Sequence, residues 1–291
     1  MNAQRRKGIL YILASAVIFG FTPVLAALSY RGGNNGINMA FLRALMPVVP
    51  LVFLSGAHKK RIAKGKQLRI GILAGTVMFS CTLLLYSSYA YIPVGLATTL
   101  HFLYPLYVVL FETLFKKKKL KPLQIIGLVL SLAGVFISVD LTGGGSLDLR
   151  GVILTLLSGI AFAAYILIIG AEAKDPLPVF RLMLLVSLSG VFLCGSAGVL
   201  LGKLTVSLEP AAWVCAILCA LLVSLGGSTL FQIGTRYVGE TDAAVYSLLE
   251  PIGCIVFGAL LMGDVLTVNG ITGCAMILAG LLCNALSEKR N

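Results

Sequence analysis

The apolar residues of this chain come in blocks long enough to cross a bilayer, and that limits its possible folds before any other feature is weighed. A helix rises 1.5 Å per residue, so about 20 apolar residues cover roughly 30 Å of hydrocarbon. Ten such blocks are legible, approximately over residues 8–29, 37–55, 70–91, 94–115, 122–139, 151–171, 177–201, 211–233, 242–262 and 268–286. Short polar or glycine-bearing breaks such as "RGGNNG", "AHKKRIAKGKQ", "KKKKLK", "TGGGS" and "GETD" separate them. The chain is 58% hydrophobic and 12% charged, whereas an ordinary soluble domain has about 45–50% apolar and about 25% charged residues. Lipid supplies no hydrogen bonds, so spans of this length must be helices, and the expected fold is an all-α integral membrane protein with ten transmembrane helices. The first block runs on into "SYRGGNN" rather than into a small-residue cleavage site, so it is expected to stay as the first helix.

Charge sets the expected orientation, because Lys and Arg accumulate on the cytoplasmic side. With the N-terminus inside, 19 of the 23 Lys and Arg residues fall on the cytoplasmic side; Arg31, Arg150 and Lys203 fall on the other, and Arg43 lies within the second block. The net charge of +12 is thereby a topology signal that needs no nucleic-acid partner. The "KKKK" at 116–119 reads as a solvated turn, with contact to anionic lipid headgroups as the alternative. The seven cysteines all lie in apolar blocks without metal-type spacing, and no metal or cofactor is expected.

The chain also repeats itself. A shift of 146 lays "YIPVGLATTLHFLYPLYVVLFETLF" on "YVGETDAAVYSLLEPIGCIVFGALL", matching Tyr91 with Tyr237, Pro105 with Pro251 and Phe111 with Phe257. The same shift lays "GLVLSLAG" (127–134) on "GCAMILAG" (273–280). A shift of 143 matches Gly8 with Gly151, Ser15 with Ser158 and Phe19 with Phe162. Five helices is an odd number, so a second copy must enter the membrane in the opposite sense. Two inverted five-helix repeats are expected, over residues 8–141 and 151–287, with both termini inside. Such repeats are typical of secondary transporters that work by alternating access.

The "LYPLYVV" and "LEPIGCIVFGALLMGD" stretches, the two glycine-bearing segments above, "FLRAL" in the second block, and "IFGF" and "AFAAY" in the first and sixth resemble the ten-helix EamA-like members of the drug/metabolite transporter superfamily. The resemblance covers nearly the whole chain. It implies a carrier of amino acids, nucleobase-like metabolites, quaternary amines or drugs, with helices 1–4 and 6–9 around a central cavity and helices 5 and 10 at the periphery. Two departures from the family pattern stand out. The acidic residue that closes the fourth helix of a repeat is Asp264 in the second half but Lys118 in the first, and the aromatic positions of helices 1 and 6 hold Phe19 and Phe162 in place of tryptophan.

Candidate functional residues gather where the repeat places its prolines. Pro105 and Pro251 lack an N–H, so the carbonyls of His101 and Ser247 are expected to lose their helical partners near mid-membrane. Glu250 stands beside Pro251, and a carboxylate at that depth costs at least ~2.5 kcal/mol to insert. Glu250, His101, Tyr104 and Ser247 are therefore the expected substrate or coupling residues. Glu250 serves either a proton or a positive group of the substrate, or else bonds a neighbouring helix. Tyr86, Tyr165 and Phe162 are candidates for an aromatic wall. Arg43 lies one or two turns below the surface, where snorkelling suffices for it, and it is the remaining candidate for the binding or coupling set. Glu112 reads as a surface pair with Lys116. The expected function is a secondary carrier of a small organic solute, with protons as a possible partner, working as a monomer in a bacterial-type cytoplasmic membrane. An integral-membrane enzyme acting on lipid is the alternative. It lacks material, since the two histidines are His58 in a basic loop and His101 in a span.

Overall fold

The computed structural model describes residues 3–56, 65–92, 94–117, 119–138, 148–172, 177–263 and 267–289. Within them all regular structure is helical: α1 (Ala3–Phe19), α2 (Thr22–Arg31), α3 (Gly36–Leu45), α4 (Val48–Gly56), α5 (Gly65–Ser88), α6 (Val94–His101), α7 (Tyr104–Lys116), α8 (Pro122–Ser138), α9 (Leu149–Glu172), α10 (Val179–Leu200), α11 (Pro210–Leu218), α12 (Ser228–Val238), α13 (Glu240–Tyr246), α14 (Glu250–Met262) and α15 (Val268–Lys289). Several of these are halves of one crossing. Among the described residues, eight helical units are long and apolar enough to span a membrane: Ala3–Arg31, Gly36–Gly56, Gly65–Ser88, Leu96–Phe115, Leu149–Ala171, Val179–Leu200, Pro210–Val238 and Glu240–Met262. The apolar stretches Pro122–Ile137 and Val268–Cys283 are shorter. His58, Lys118 and Asp264 lie outside the described residues.

Five crossings are interrupted, two of them where the prolines were expected to act. Tyr104 and Pro105 open α7 after a break at Phe102 and Leu103. Before Pro251, residues Ser247–Leu249 tighten into a 3₁₀ turn, and the Glu250 N–H donates to the Ser247 carbonyl. The expectation that this carbonyl is left open is thus corrected: the tighter i→i+3 pattern pairs it within the chain. The breaks at Gly20–Phe21 and Met46–Pro47 were not read from sequence. Nor was the π-helical run Cys219–Gly227 that joins α11 to α12. That wider turn ends at Gly227, whose carbonyl accepts a 2.9 Å bond from Ser15 Oγ of α1.

Helix pairing repeats itself across the chain. α5 packs on α9, as α11 and α12 pack on α2 and α1. α6 and α7 pack on α9, as α13 and α14 pack on α1. α10 lies on α3 and α4, and α8 on α15. Exchanging each of these helical units with its counterpart in the other half leaves this pattern unchanged. Residues obey the same exchange. A Cβ on Gly8 would fall 2.5 Å from Tyr237 Cβ, and one on Gly151 3.0 Å from Tyr91 Cβ. Gly134 faces the Gly273 carbonyl while Gly280 faces the Gly127 carbonyl, so α8 and α15 run antiparallel. Association in lipid has no hydrophobic drive of its own, and small residues let backbones approach closely enough for dispersion to act.

Polar ties close the two ends of the bundle. At the end that holds the chain's beginning, Arg5 of α1 pairs with Asp242 of α13, and Thr241 donates to Glu112 of α7. Glu112 is 2% exposed, so its reading as half of a surface pair with Lys116 is corrected; it faces the α13 start across the bundle. At the opposite end two asparagines clasp the start of α3 to the segment after α10. Asn35 Nδ2 donates to the Lys203 carbonyl at 2.8 Å and Asn38 Nδ2 to the Thr205 carbonyl at 3.1 Å. Beside that clasp an open groove of about 390 Å³ is bounded by Pro23, Ala27, Tyr30, Tyr89 and Val94.

The α8–α15 contact yields a direct test. A Cβ at Gly134 would sit 2.6 Å from the Gly273 carbonyl oxygen and 3.0 Å from Ile277 N, both backbone atoms. Gly134→Ala is expected to lose about 1–3 kcal/mol through overpacking, read as a lower midpoint of thermal unfolding in detergent. Gly56→Ala, where a Cβ meets nothing within 4 Å, should melt no earlier than wild type.

Candidate functional site

Arg43 is placed by the second crossing and held by two others. The N-cap Asn35, whose side chain accepts from Asn38 N, starts α3 and sets its register. That register turns Arg43 inward, where it is 7% exposed. Its Nε donates to Ser224 Oγ at 2.9 Å, and Nη1 donates to Tyr86 Oη at 2.5 Å. Cζ lies 5.7 Å from the centre of the Tyr86 ring, which adds a cation–π attraction. Arg43 therefore does not snorkel: hydroxyls from α5 and from the π-helical run supply the acceptors that a headgroup would otherwise provide. No carboxylate among the described residues reaches ion-pair contact with it. Beside it an enclosed cavity of about 10 Å³ is lined by Thr82, Tyr165, Ser187, Ser224 and Ser228, which is room for about one water.

A second cluster surrounds His101 at the end of α6. Its Nδ1 is 2.9 Å from Ser158 Oγ, and that hydroxyl donates to the Thr155 carbonyl at 2.6 Å. One hydroxyl has one proton, so Nδ1–H is the donor and a neutral ring keeps Nε2 as its acceptor. Phe162 is the hub of the surrounding rings. It meets Tyr104 edge-on at 4.7 Å, His101 at 5.6 Å, Phe231 at 5.9 Å and Tyr165 at 6.0 Å. Tyr165 Oη accepts from Gln232 Nε2 at 3.0 Å. The expected aromatic wall is thereby divided. Phe162 and Tyr165 stand with His101 and Tyr104, whereas Tyr86 belongs to the Arg43 side and meets the Tyr89 ring at 5.7 Å.

Glu250 lies between these clusters. It starts α14, ten residues beyond Glu240, or about 15 Å into its crossing by helical rise. Its carboxylate interacts electrostatically with Arg43, Cys81, Tyr104 and Cys254, and it keeps some accessible surface. No hydrogen bond or ion pair joins the carboxylate to another described residue. The shift of 146 that lays Pro105 on Pro251 also lays Tyr104 on Glu250 and His101 on Ser247. Tyr104 is 0% exposed, and its hydroxyl has no hydrogen-bond partner. Ser247 stands beside it, but the Ser247 hydroxyl donates to the Ala243 carbonyl, and no bond of normal geometry joins the two. The repeat thus brings a neutral orphan hydroxyl and a carboxylate to equivalent places at the middle of the bundle. The π-helical run was missed from sequence, and "LLVSLGG" carries no signal for it beyond its paired glycines.

The model of the EamA-like transporter family matches the chain twice, over residues 6–139 and 149–286. An uncharacterized transporter of Synechocystis, sll1319, is 24% identical over 93% of this chain and 90% of its own length. The threonine/homoserine exporter RhtA of Escherichia coli K12 is 27% identical over 97% of this chain and 92% of its own. The match to an uncharacterized Bacillus subtilis transporter, YwfM, is 27% identical and spans 57% of this chain and 55% of that one. A solved crystal structure shares the fold, with a TM-score of 0.82 at 15% identity over 96% of this chain and 98% of that chain.

Removing one acceptor from the buried guanidinium tests how it is held. Hydrogen bonds to charged groups contribute about 1.5–3 kcal/mol each. Tyr86→Phe is therefore expected to lower stability by that order in a thermal or denaturant melt. Tyr91→Phe, at a residue 41% exposed, should melt like wild type.

Proposed function

Because the chain belongs to the EamA-like transporter family through both of its halves, and is accordingly a multi-pass membrane transporter of a small molecule, we propose that it is a secondary carrier working by alternating access. In this reading ten helices cross a cytoplasmic membrane with both termini inside, as two inverted repeats over residues 8–141 and 151–287. α8 and α15 are the fifth helix of each repeat and lie at the edge. The observation that carries the reading is the exchange symmetry of the packing around a centre that holds Arg43, His101, Tyr104 and Glu250, with Pro105 and Pro251 at matching breaks. Two halves related in this way can trade conformations and expose one site to each side in turn.

The bundle ends supply the gates. Arg5–Asp242 and Thr241–Glu112 tie α1, α7 and α13 at the cytoplasmic end, while the groove beside Tyr30 and Tyr89 opens at the other. Cytoplasmic release requires those ties to part. A small organic metabolite of the amino-acid kind is the first class of solute to assay, since that is what the name of RhtA specifies for that protein. Glu250 is the residue at which a proton and a positive group of the solute compete.

Purified protein in liposomes should move such a solute down an imposed solute or proton gradient, and absence of flux for every metabolite assayed would defeat the carrier. Glu250→Gln keeps the shape but cannot ionise, so its flux should lose the pH dependence that wild type shows. Unchanged pH dependence would return Glu250 to a helix-packing role. Asp242→Asn should weaken the cytoplasmic tie and raise labelling, from the cytoplasmic side, of a cysteine substituted at Val245; equal labelling in both backgrounds would remove that pair from the gate.

A further inference from the structure

Lys117 stands in a backbone conformation that lysine does not favour. It caps α7 at φ 50°, and among the described residues it alone of the non-glycines has a positive φ. Its N–H donates to the Glu112 carbonyl. The shift of 146 lays Lys117 on Gly263, which caps α14 at φ 75° and donates to the carbonyl of Gly258, the residue that the same shift lays on Glu112. One turn is thus built twice, and the second half builds it with the residue that has no Cβ to strain. The first half puts a lysine there at a steric cost. No described residue bonds the ammonium of Lys117 or of Lys119, so no such contact within the described chain offsets that cost. A turn that met only water would have no use for a lysine at that φ.

Lys117 and Lys119 line an open groove of about 530 Å³ together with Thr113, Leu120 and Ile125. The groove lies where α7 turns into α8, and these two helices lean on different partners, α7 on α9 and α13, α8 on α15. Exposed apolar side chains lead away from it along both: Leu114, Leu110 and Leu106 on α7, and Ile125 and Val129 on α8. Spacing of four keeps each set on one helix face. Glu112 reaches Thr241 beside the Arg5–Asp242 pair, so the groove lies at the end that holds the chain's beginning. We propose that it binds an anionic phospholipid of the cytoplasmic leaflet, the phosphate held by Lys117, Lys119 and the Thr113 hydroxyl and an acyl chain lying along the leucines of α7. The site stands apart from the carrier reading and takes only its leaflet from the orientation given there. Lysine stems run along apolar surface while their ammonium groups reach headgroup level, where anionic lipid attracts them. A free phosphate would leave the apolar walls uncovered, and a neutral lipid would leave both ammonium groups without a countercharge. The equivalent turn of the second half lies at the other end of its crossing and reads "MGDVLT" where the first reads "KKKKLK", as a site confined to one leaflet requires.

The test uses the full-length protein in dodecyl maltoside and reads the midpoint of thermal unfolding during titration with phosphatidylglycerol, phosphatidylcholine or glycerol 3-phosphate. Wild type should be stabilised by phosphatidylglycerol at concentrations where the other two have no effect. Lys117→Gly relieves the turn, so without lipid it should melt above wild type, yet it should bind phosphatidylglycerol about fivefold more weakly. Weaker binding by a more stable variant is not a folding defect. Adding Lys119→Gln should bring the loss to about 25-fold. Lys66→Gln with Arg69→Gln removes the same charge from the exposed start of α5, on the same face in that orientation, and should keep wild-type affinity. Equal weakening in the two double variants overturns the site, because net charge then holds the lipid. Wild-type affinity in Lys117→Gly overturns it as well. Equal stabilisation by phosphatidylcholine, or by glycerol 3-phosphate, overturns the assignment to an anionic lipid.

Discussion

Hydrocarbon offers neither donors nor acceptors, so polar groups and broken turns in this bundle must be paired by the chain itself. The widened turn before Gly227 leaves a carbonyl that Ser15 of α1 reaches. The proline break before α14 tightens so that the Glu250 N–H meets the Ser247 carbonyl. The guanidinium of Arg43 finds hydroxyls on α5 and on the π-helical run. Remove the need to pair every polar group and there is no reason for α3, α5 and the π-helical run to converge. With it, they are held together around one cation, and Tyr104 Oη and the Glu250 carboxylate are among the polar groups left unmatched nearby.

Repetition gives the bundle its shape, and departure from repetition gives it chemistry. The contacts Gly8–Tyr237 and Gly151–Tyr91, and Gly134–Gly273 and Gly280–Gly127, are the same two contacts made twice. Close backbone approach there depends on the lack of a side chain, which is why glycine stands on one or both sides of each pair. At the centre the same exchange sets a tyrosine against a glutamate and a histidine against a serine. An exchange that carries one half onto the other therefore does not carry the charge with it, and the middle of the bundle is electrostatically one-sided although its packing is not.

Much of this was legible before any coordinates. Blocks of hydrocarbon length dictated helices because no other open structure can satisfy its backbone in lipid. Pro105 and Pro251 marked breaks because a missing N–H acts locally. Arg43 and Glu112 were misplaced for a shared reason: a charge near the end of a span was assumed to seek water. Arg43 instead points at Ser224, 181 residues away in sequence, and Glu112 at Thr241. No window of local sequence contains those partners. The π-helical run was missed for the same cause, since its widened pitch is sustained by α1 and α3 packing on it, not by any residue within "CALLVSLGG".

Sequence alone determined that the chain is helical, membrane-embedded and internally repeated, and which residues at mid-membrane are chemically unusual, because hydropathy, residue period and proline geometry act over a few residues at a time. Tertiary structure decided which unusual residues meet. It turned Arg43 inward, split the aromatic residues into a Phe162 cluster and a Tyr86 cluster, buried Glu112 against α13, and held Glu250 within the field of Arg43 but out of its reach. Those outcomes depend on the rotation of each helix about its own axis. Packing against several neighbours fixes that rotation, and a single span does not encode its neighbours.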